Sequence, residues 1–556
     1  MYDKREKQPV VADREMTGNR RRKKMSAEQQ KSKITVEKKA SVKNGIGRML
    51  FSGVVILLEV WFIITLFFSL NRYAAWIDTA TRIFSVVLVL IIYGMHKTSS
   101  LKTPWIILIM ASPILGVGIY LIVGLNFHPK KMKKGYESVD RILLPKLKDG
   151  QAGKDTDEAY AALKAKDPIL ASLSDYVIRN SSYPVYRNTD IVYYEDAAKG
   201  LEAQKEELRK AQKFIFMEYH AIEDRESWHG LQEILEERVK AGVEVRVFYD
   251  DMGSIGFINT DFIDRLSGVG IKCRVFNPFA PGINLFLNNR DHRKITVIDG
   301  KTGFTGGYNL ANEYFNITHP YGMWKDTGIK ITGEAVRSLT VAFLENWNAA
   351  EEKDMDCLGI EQYLPQVDHK AEENDAFIQP YADSPLDDEH IGEDVYISMA
   401  NTAVDYCWFV TPYLILTDET IHALGLAAKR GVDVRVITPG IPDKKLVYSV
   451  TRSYYNTLTR NGVKVYEWTP GFCHCKMCVA DDKAATCGTI NLDYRSLYHH
   501  FENGCLYINC QAVKDTRNDF ETMFAESRDV TEEYTSGRAA YLRLGQLFLR
   551  LFAPLF

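Results

Sequence analysis

The heptapeptide AGVEVRV at residues 241–247 returns almost unchanged as RGVDVRV at 430–436. Each copy alternates apolar and charged residues behind a glycine, the period-2 pattern of a half-buried strand. The same plan surrounds both. FIFMEYHAI (214–222) predicts a strand, and a helix then runs to about Ala241 before the strand Gly242–Val247. YCWFVT (406–411) predicts a strand, and a helix runs to about Arg430 before the strand Gly431–Val436. A Gly-ended helix and another strand follow in each half, Val269–Val275 in the first and Asn461–Tyr466 in the second. Strand and helix units alternating across short glycine turns imply an α/β fold, and their repetition implies two duplicated lobes. The lobes are placed at 171–355 and 391–530, with linkers at 127–170, which is charged and reads as irregular, and at 356–390.

Beyond the last strand of each half lies a second repeat. His292-Arg293-Lys294, Asp299, Gly306 and Asn309 match His474-Cys475-Lys476, Asp481, Gly488 and Asn491 with no gap. Two accidental copies of the His, Lys and Asp spacing have a chance of roughly 10⁻³ in a chain of ordinary composition. On a strand, His-x-Lys puts both side chains on one face. Imidazole can attack or deliver a proton near neutral pH, and lysine is a compact cation suited to a phosphate oxygen. Asparagine adds neutral donors, and the turn after glycine brings backbone N–H groups close. One half-site holds a single histidine. Two facing half-sites supply one for attack and one for the leaving group, which is what in-line phosphoryl transfer needs. Two lysines and two asparagines offset the phosphate charge without a metal or other cofactor.

These residues resemble the phospholipase D superfamily, with its paired His-Lys-Asp motifs, over roughly residues 170–530. A finer resemblance is to bacterial cardiolipin synthases. It rests on an N-terminal apolar hairpin with Pro104-Trp105 and Pro113, Gly116, Tyr120 and Gly124, on Thr411-Pro412-Tyr413, and on GTINLDYRS (488–496) followed by Phe501-Glu502. The resemblance implies two phospholipase D-like lobes that move a phosphatidyl group from one phosphatidylglycerol to a second, releasing glycerol. It implies that His292 attacks phosphorus to give a phosphohistidine. His474 would protonate the departing glycerol and then deprotonate the incoming hydroxyl. Lys294, Lys476, Asn309 and Asn491 would bind the phosphate. Asp299 and Asp481 would support the site from behind, and Glu502 is a candidate site residue. Glu313 is weighed beside it, since each follows an Asn. The two histidines' roles are exchangeable on this reading.

The front of the chain points to a membrane. Residues 1–48 carry 15 Lys/Arg against 6 Asp/Glu, a net +9, without apolar patterning. This reads as a disordered tail, drawn to anionic lipid or setting topology. Met49–Leu70, broken by Glu59, and Pro104–Leu125 are each long enough to span roughly 30 Å of hydrocarbon as transmembrane helices. Ile83–Met95 is shorter. Positive charge before the first run and after the last, at Lys130-Lys131-Met132-Lys133-Lys134, puts both ends in the cytoplasm, which requires that one run does not cross; the short one is the choice, while a third crossing would put the large domain outside. The expectation is a multi-pass protein of the cell membrane, segment 49–126, with its catalytic lobes cytoplasmic. Tyr541–Phe556, within the segment 531–556, reads either as an amphipathic helix lying on the membrane or as a helix on the protein's own core.

Composition limits the rest. At 556 residues with a net charge of -3, the chain lacks the basic field of a nucleic-acid binder. Nine cysteines are too few for a disulfide scaffold. Five crowd one region (Cys473, Cys475, Cys478, Cys487, Cys505) but have poor zinc spacing, and reduced buried thiols are expected. The alternatives to a cardiolipin-forming phosphatidyltransferase are a phospholipase D-type hydrolase and a non-catalytic scaffold for anionic lipid. Phosphatidylethanolamine stays open as a donor, and the sequence does not fix the oligomeric state.

Overall fold

In the computed structural model the described residues are 75–96, 98–121, 130–278, 289–350, 359–537 and 544–553, with isolated positions between 47 and 65. The basic tail and most of the run Met49–Leu70 lie outside them.

Two sheets carry the lobes, and their strands follow the same spatial order. The first runs Thr189–Tyr194, Gly328–Gly333, Thr302–Gly306, Lys294–Ile298, Phe214–Tyr219, Glu244–Asp250, Lys272–Phe276. The second runs Phe377–Asp383, His500–Ile508, Ala484–Gly488, Met477–Ala480, Tyr406–Val410, Asp433–Pro439, Lys464–Trp468, with Ser527–Asp529 added at the edge. In each, three consecutive parallel strands with helical crossovers continue into an antiparallel half. The expected duplication is therefore seen strand for strand. The strand expected at Val269–Val275 begins later, at Lys272, because Gly270 occupies the left-handed turn that ends the preceding helix (φ +89°). Gly242, Gly431 and Gly462 do the same at the other helix-to-strand turns.

The first sheet is covered on both faces, which is why its central strand has no polar alternation. Ile215, Met217, Val245 and Val247 pack toward the helices Ala197–Arg209 and Glu226–Lys240. Phe214, Phe216, Phe248, Ile295 and Val297 belong to a core shared with the second lobe, into which the helix Val336–Ala350 is sunk.

Both expected linkers are more ordered than their composition suggests. The stretch 127–170 is not irregular. It carries the helices Lys130–Leu143 and Gln151–Lys166, and another begins at Pro168. Lys133, Lys134, Glu137 and Arg141 are exposed, while Tyr136, Val139 and Leu143 enter the shared core. The stretch 356–390 contributes Phe377–Asp383, a full strand of the second sheet.

Towards the front, Ile83–Met95 falls mostly within a longer helix, Ala75–Gly94. Pro104–Leu125 is divided at Ser112, where Pro113 starts a new helix, giving Ser99–Ala111 and Pro113–Ile119. No helix among the described residues is long and apolar enough to cross a membrane. Near the C-terminus, the helix Leu544–Leu551 rests one side on the core through Leu549. Leu544, Leu547 and Phe548 stay exposed on the other.

Candidate active site

The histidine-lysine pairs sit at strand entrances rather than within strands. His292 follows the two-residue strand Arg290–Asp291 and precedes Lys294–Ile298, and His474 follows Gly471–Cys473 and precedes Met477–Ala480. Each lead-in crosses to the opposite lobe. Arg290–Asp291 pairs in parallel with His500–Phe501, and Gly471–Cys473 pairs in parallel with Met323–Lys325. The backbone N–H of His292 donates to the Phe501 carbonyl at 2.9 Å, and that of His474 to the Lys325 carbonyl at 2.7 Å. The lobes are thus stitched together at the two histidines. Both histidines line one cavity of about 430 Å³, with Asn309 and Asn491 in its wall.

The crossing also delivers a carboxylate to each ring. Glu502 of the second lobe lies 2.9 Å from Nδ1 of His292, and Asp326 of the first lobe lies 2.7 Å from Nδ1 of His474. Glu502 is completed by the hydroxyls of Thr489 and Ser496, both at 2.5 Å. An imidazole that gives its Nδ1 proton to a carboxylate keeps Nε2 free for chemistry. The family resemblance marks Glu502 as a candidate, with Glu313 weighed beside it. Glu313 is buried on the turn Asn312–Phe315 and does not line the cavity. The true counterpart, Asp326, was readable from a short echo: Asp326-Thr327-Gly328 repeats as Glu502-Asn503-Gly504. Each of these glycines pairs with the motif glycine of the neighbouring strand, Gly306 or Gly488. A Cβ on Gly306 would meet the Thr327 carbonyl at 2.4 Å, and one on Gly488 the Asn503 carbonyl at 2.5 Å. The motif glycine is therefore required by strand approach rather than by an anion-binding turn.

The lysines lie beneath the rings. Lys294 Nζ donates to the His292 carbonyl and Lys476 Nζ to the His474 carbonyl, and Lys476 Nζ is also 2.8 Å from His474 Nδ1. Burial holds both histidines well below the usual imidazole range, and the lysine charges add to this. Burial also lowers Lys476, brings Lys294 down to about 7, and raises Asp326 to about 7. A dry pocket disfavours every charge in it, so the empty site holds neutral imidazoles able to attack. A phosphodiester entering the cavity supplies the anion that favours protonated lysine and imidazolium. Asn309 is engaged within its lobe, its Oδ1 accepting from the Ala221 N–H and its Nδ2 donating to Tyr314 Oη at 2.8 Å.

Asp299 and Asp481 are far from this chemistry. Each stands at the opposite end of its strand, in the left-handed region (φ +55° and +53°). Asp299 accepts the backbone N–H groups of Gln212, Lys213 and Phe214, and Asp481 those of Val404, Asp405 and Tyr406. They clamp the chain entering the central strands, a part of the motif that secures the sheet. The cysteines near His474 are buried thiols raised by burial, and Cys478 faces Cys407 across strands with sulfurs 3.6 Å apart. Among the described residues, one group could hold a metal ion: ligand atoms of His292, His500 and Glu502 lie within 4.8 Å of one another. Glu502, the one carboxylate of that group, already serves His292, Thr489 and Ser496.

Comparisons with known proteins reach both lobes. A family model described as cardiolipin synthase, PLD-like domain, matches residues 205–346 and 396–524, the two lobes. A cardiolipin synthase of Halalkalibacterium halodurans is 32% identical over 86% of this chain and 92% of its own. A cardiolipin synthase of Clostridium perfringens is 32% identical over 81% and 93%. Among solved structures, the phosphatidylserine synthase of Haemophilus influenzae shares the fold (TM-score 0.50, 16% identity) over 66% of this chain and 93% of its own.

Proposed function

The chain belongs to the cardiolipin synthase, phospholipase D-like family, and on that premise we propose that it is a phosphatidyltransferase joining two phosphatidylglycerol molecules into cardiolipin and glycerol. The observation that carries this reading is the pair of histidines from opposite lobes in one cavity, each held by the other lobe's carboxylate.

In the first step, Nε2 of His292 attacks phosphorus and the bond to the headgroup glycerol breaks. The departing oxygen takes a proton from His474, and the phosphatidyl group rests on His292. In the second, His474 takes the proton from a hydroxyl of another phosphatidylglycerol. That oxygen attacks phosphorus, the P–N bond breaks, and His292 is restored. Glu502 and Asp326 keep each ring in the tautomer and orientation these steps need. Lys294 and Lys476 neutralise the phosphoryl oxygens as charge builds. The membrane location fits a lipid substrate and the apolar front of the chain, with the lobes on the cytoplasmic side.

The test is incubation of purified protein with phosphatidylglycerol vesicles and identification of the products. Cardiolipin with an equal amount of glycerol supports the reading. Phosphatidic acid in place of cardiolipin makes the protein a hydrolase, and no turnover makes it a lipid-binding scaffold.

A further inference from the structure

The cavity wall contains more hydrogen-bonding capacity than a phosphate can use. A phosphodiester is acceptor-only, so Lys294, Lys476 and the arginines at the wall suffice for it. Yet the same wall carries His500, Asp443 and Asp493. Asp443 accepts from Tyr413 Oη at 2.6 Å, and Asp493 accepts from the Ser496 N–H at 3.0 Å, which leaves each carboxylate with spare lone pairs. His500 is the sharper anomaly. Both of its ring nitrogens are buried and neither has a hydrogen-bond partner. Its Nδ1 is 3.7 Å from Glu502, beyond hydrogen-bond reach. Its ring lies beside His292, with centroids 5.4 Å apart. Strand pairing with Arg290 fixes its backbone. A buried imidazole with one donor and one acceptor unspent calls for a ligand that both gives and takes a hydrogen bond.

Resting on the proposed phosphatidyl transfer, we propose that His500, with Asp443 and Asp493, forms the headgroup subsite, which takes the hydroxyls of a neutral polyol and selects the glycerol headgroup over an ammonium one. A hydroxyl donates to one acceptor and accepts from one donor, matching the neutral ring. An ammonium has three donors and no acceptor; Asp443 and Asp493 at the same wall would accept its donors, but one nitrogen of His500 would stay unsatisfied, so the discrimination rests on His500. This answers the question the sequence leaves open about phosphatidylethanolamine. Burial keeps His500 in the neutral form that the match requires.

The experiment uses the full-length protein with vesicles containing equal phosphatidylglycerol and phosphatidylethanolamine, and follows free glycerol and free ethanolamine. Headgroup release is the first half-reaction, so the readout is the same whether a lipid or water completes the turnover. Wild type is expected to release glycerol in large excess. His500→Phe should lower the glycerol-to-ethanolamine ratio about tenfold, mainly through the KM for phosphatidylglycerol. His500→Gln, which restores a donor and an acceptor, should recover most of it. A ratio unchanged in His500→Phe overturns the subsite, as does a fall in kcat for both headgroups with the ratio intact, the mark of a structural role. Wild type releasing neither headgroup overturns the proposed transfer itself and the subsite with it.

Discussion

The two half-sites share a plan, and the places where they differ are instructive. Each histidine follows a strand of its own lobe that pairs with the other lobe, and is held by that other lobe's carboxylate. Around His292 the walls are polar: His220 and His500 flank the ring at 5.0 and 5.4 Å between centroids, and Glu502 draws in Thr489 and Ser496. Around His474 they are aromatic, with Tyr314 and Trp324 at 5.3 and 5.4 Å and Phe472 at 5.9 Å. Duplication conserved the parts that set ring orientation and let the surroundings diverge. Identical groups in unlike surroundings are how one step is given to one histidine and its complement to the other.

The strongest test of that division removes each ring. His292→Ala and His474→Ala should both cut turnover by about 10⁴-fold or more, because the two act as one unit. They should differ in what is trapped. With labelled phosphatidylglycerol, the His474→Ala protein should hold label on His292, whereas His292→Ala should hold none. Label in the reverse pair would exchange the roles. The next effect is smaller. Glu502→Gln and Asp326→Asn should each lower kcat about 10²- to 10³-fold with little change in KM, since orientation and tautomer are lost while the ring stays. An effect confined to Glu502→Gln would mean that the symmetry of the cross-lobe contacts does not extend to function.

The same echo shows how far the sequence could be read. The lobes, their alternating strands and helices and the paired His-Lys motifs were legible because repetition multiplies weak local signals: AGVEVRV alone is an ordinary strand, but with RGVDVRV it marks two lobes. Asp326 has only the short echo in Glu502-Asn503-Gly504 to mark it, at a different distance from its motif than Glu502, and the pairing of Gly328 with Gly306 confirms the match. Asp299 and Asp481 were visible but misleading. Spacing tied them to the histidines, whereas a short strand carries a fixed motif residue to the other end of the sheet. The stretch 127–170 looked like a linker because its charges are dense, yet Tyr136 stacks on Phe501 at 4.7 Å and reaches the residue beside Glu502.

A pH profile probes the charge balance of the two halves. Lys294 titrates at about 7 in the empty site, so its charge is present below that pH and lost above it. The profile of kcat/KM reports the free enzyme and should fall on the alkaline side from about pH 7, by roughly tenfold per unit at its steepest. Its acid limb should lie below the ordinary histidine range near 6.5, because burial lowers His292, which must be neutral to attack. Lys294→Arg keeps its charge at all these pH values and should move the alkaline limb upward. An alkaline limb unmoved by that change would assign it to another group.

The middle residue of each motif gives the smallest effects and the cleanest contrast. Arg293 is wholly buried, and its Nη1 donates to the Glu345 carboxylate and the Ala342 carbonyl at 2.8 and 2.9 Å, while its Nε donates to the Glu502 carbonyl at 3.2 Å. Cys475, at the same position in the second lobe, makes one weak contact to the Lys325 carbonyl at 3.5 Å. Arg293→Cys would copy the second lobe's choice into the first, but it leaves Glu345 buried without its cation and should cost about 3–5 kcal/mol of stability. Cys475→Ala removes a small apolar group and should cost about 1 kcal/mol, with kcat within about threefold of wild type. Denaturant unfolding of both variants measures the gap. If Cys475→Ala proved as damaging as Arg293→Cys, or abolished turnover in the folded protein, the cluster Cys473-His474-Cys475 would have a role beyond packing. The second lobe's chemistry would then differ from the first in kind rather than in surroundings.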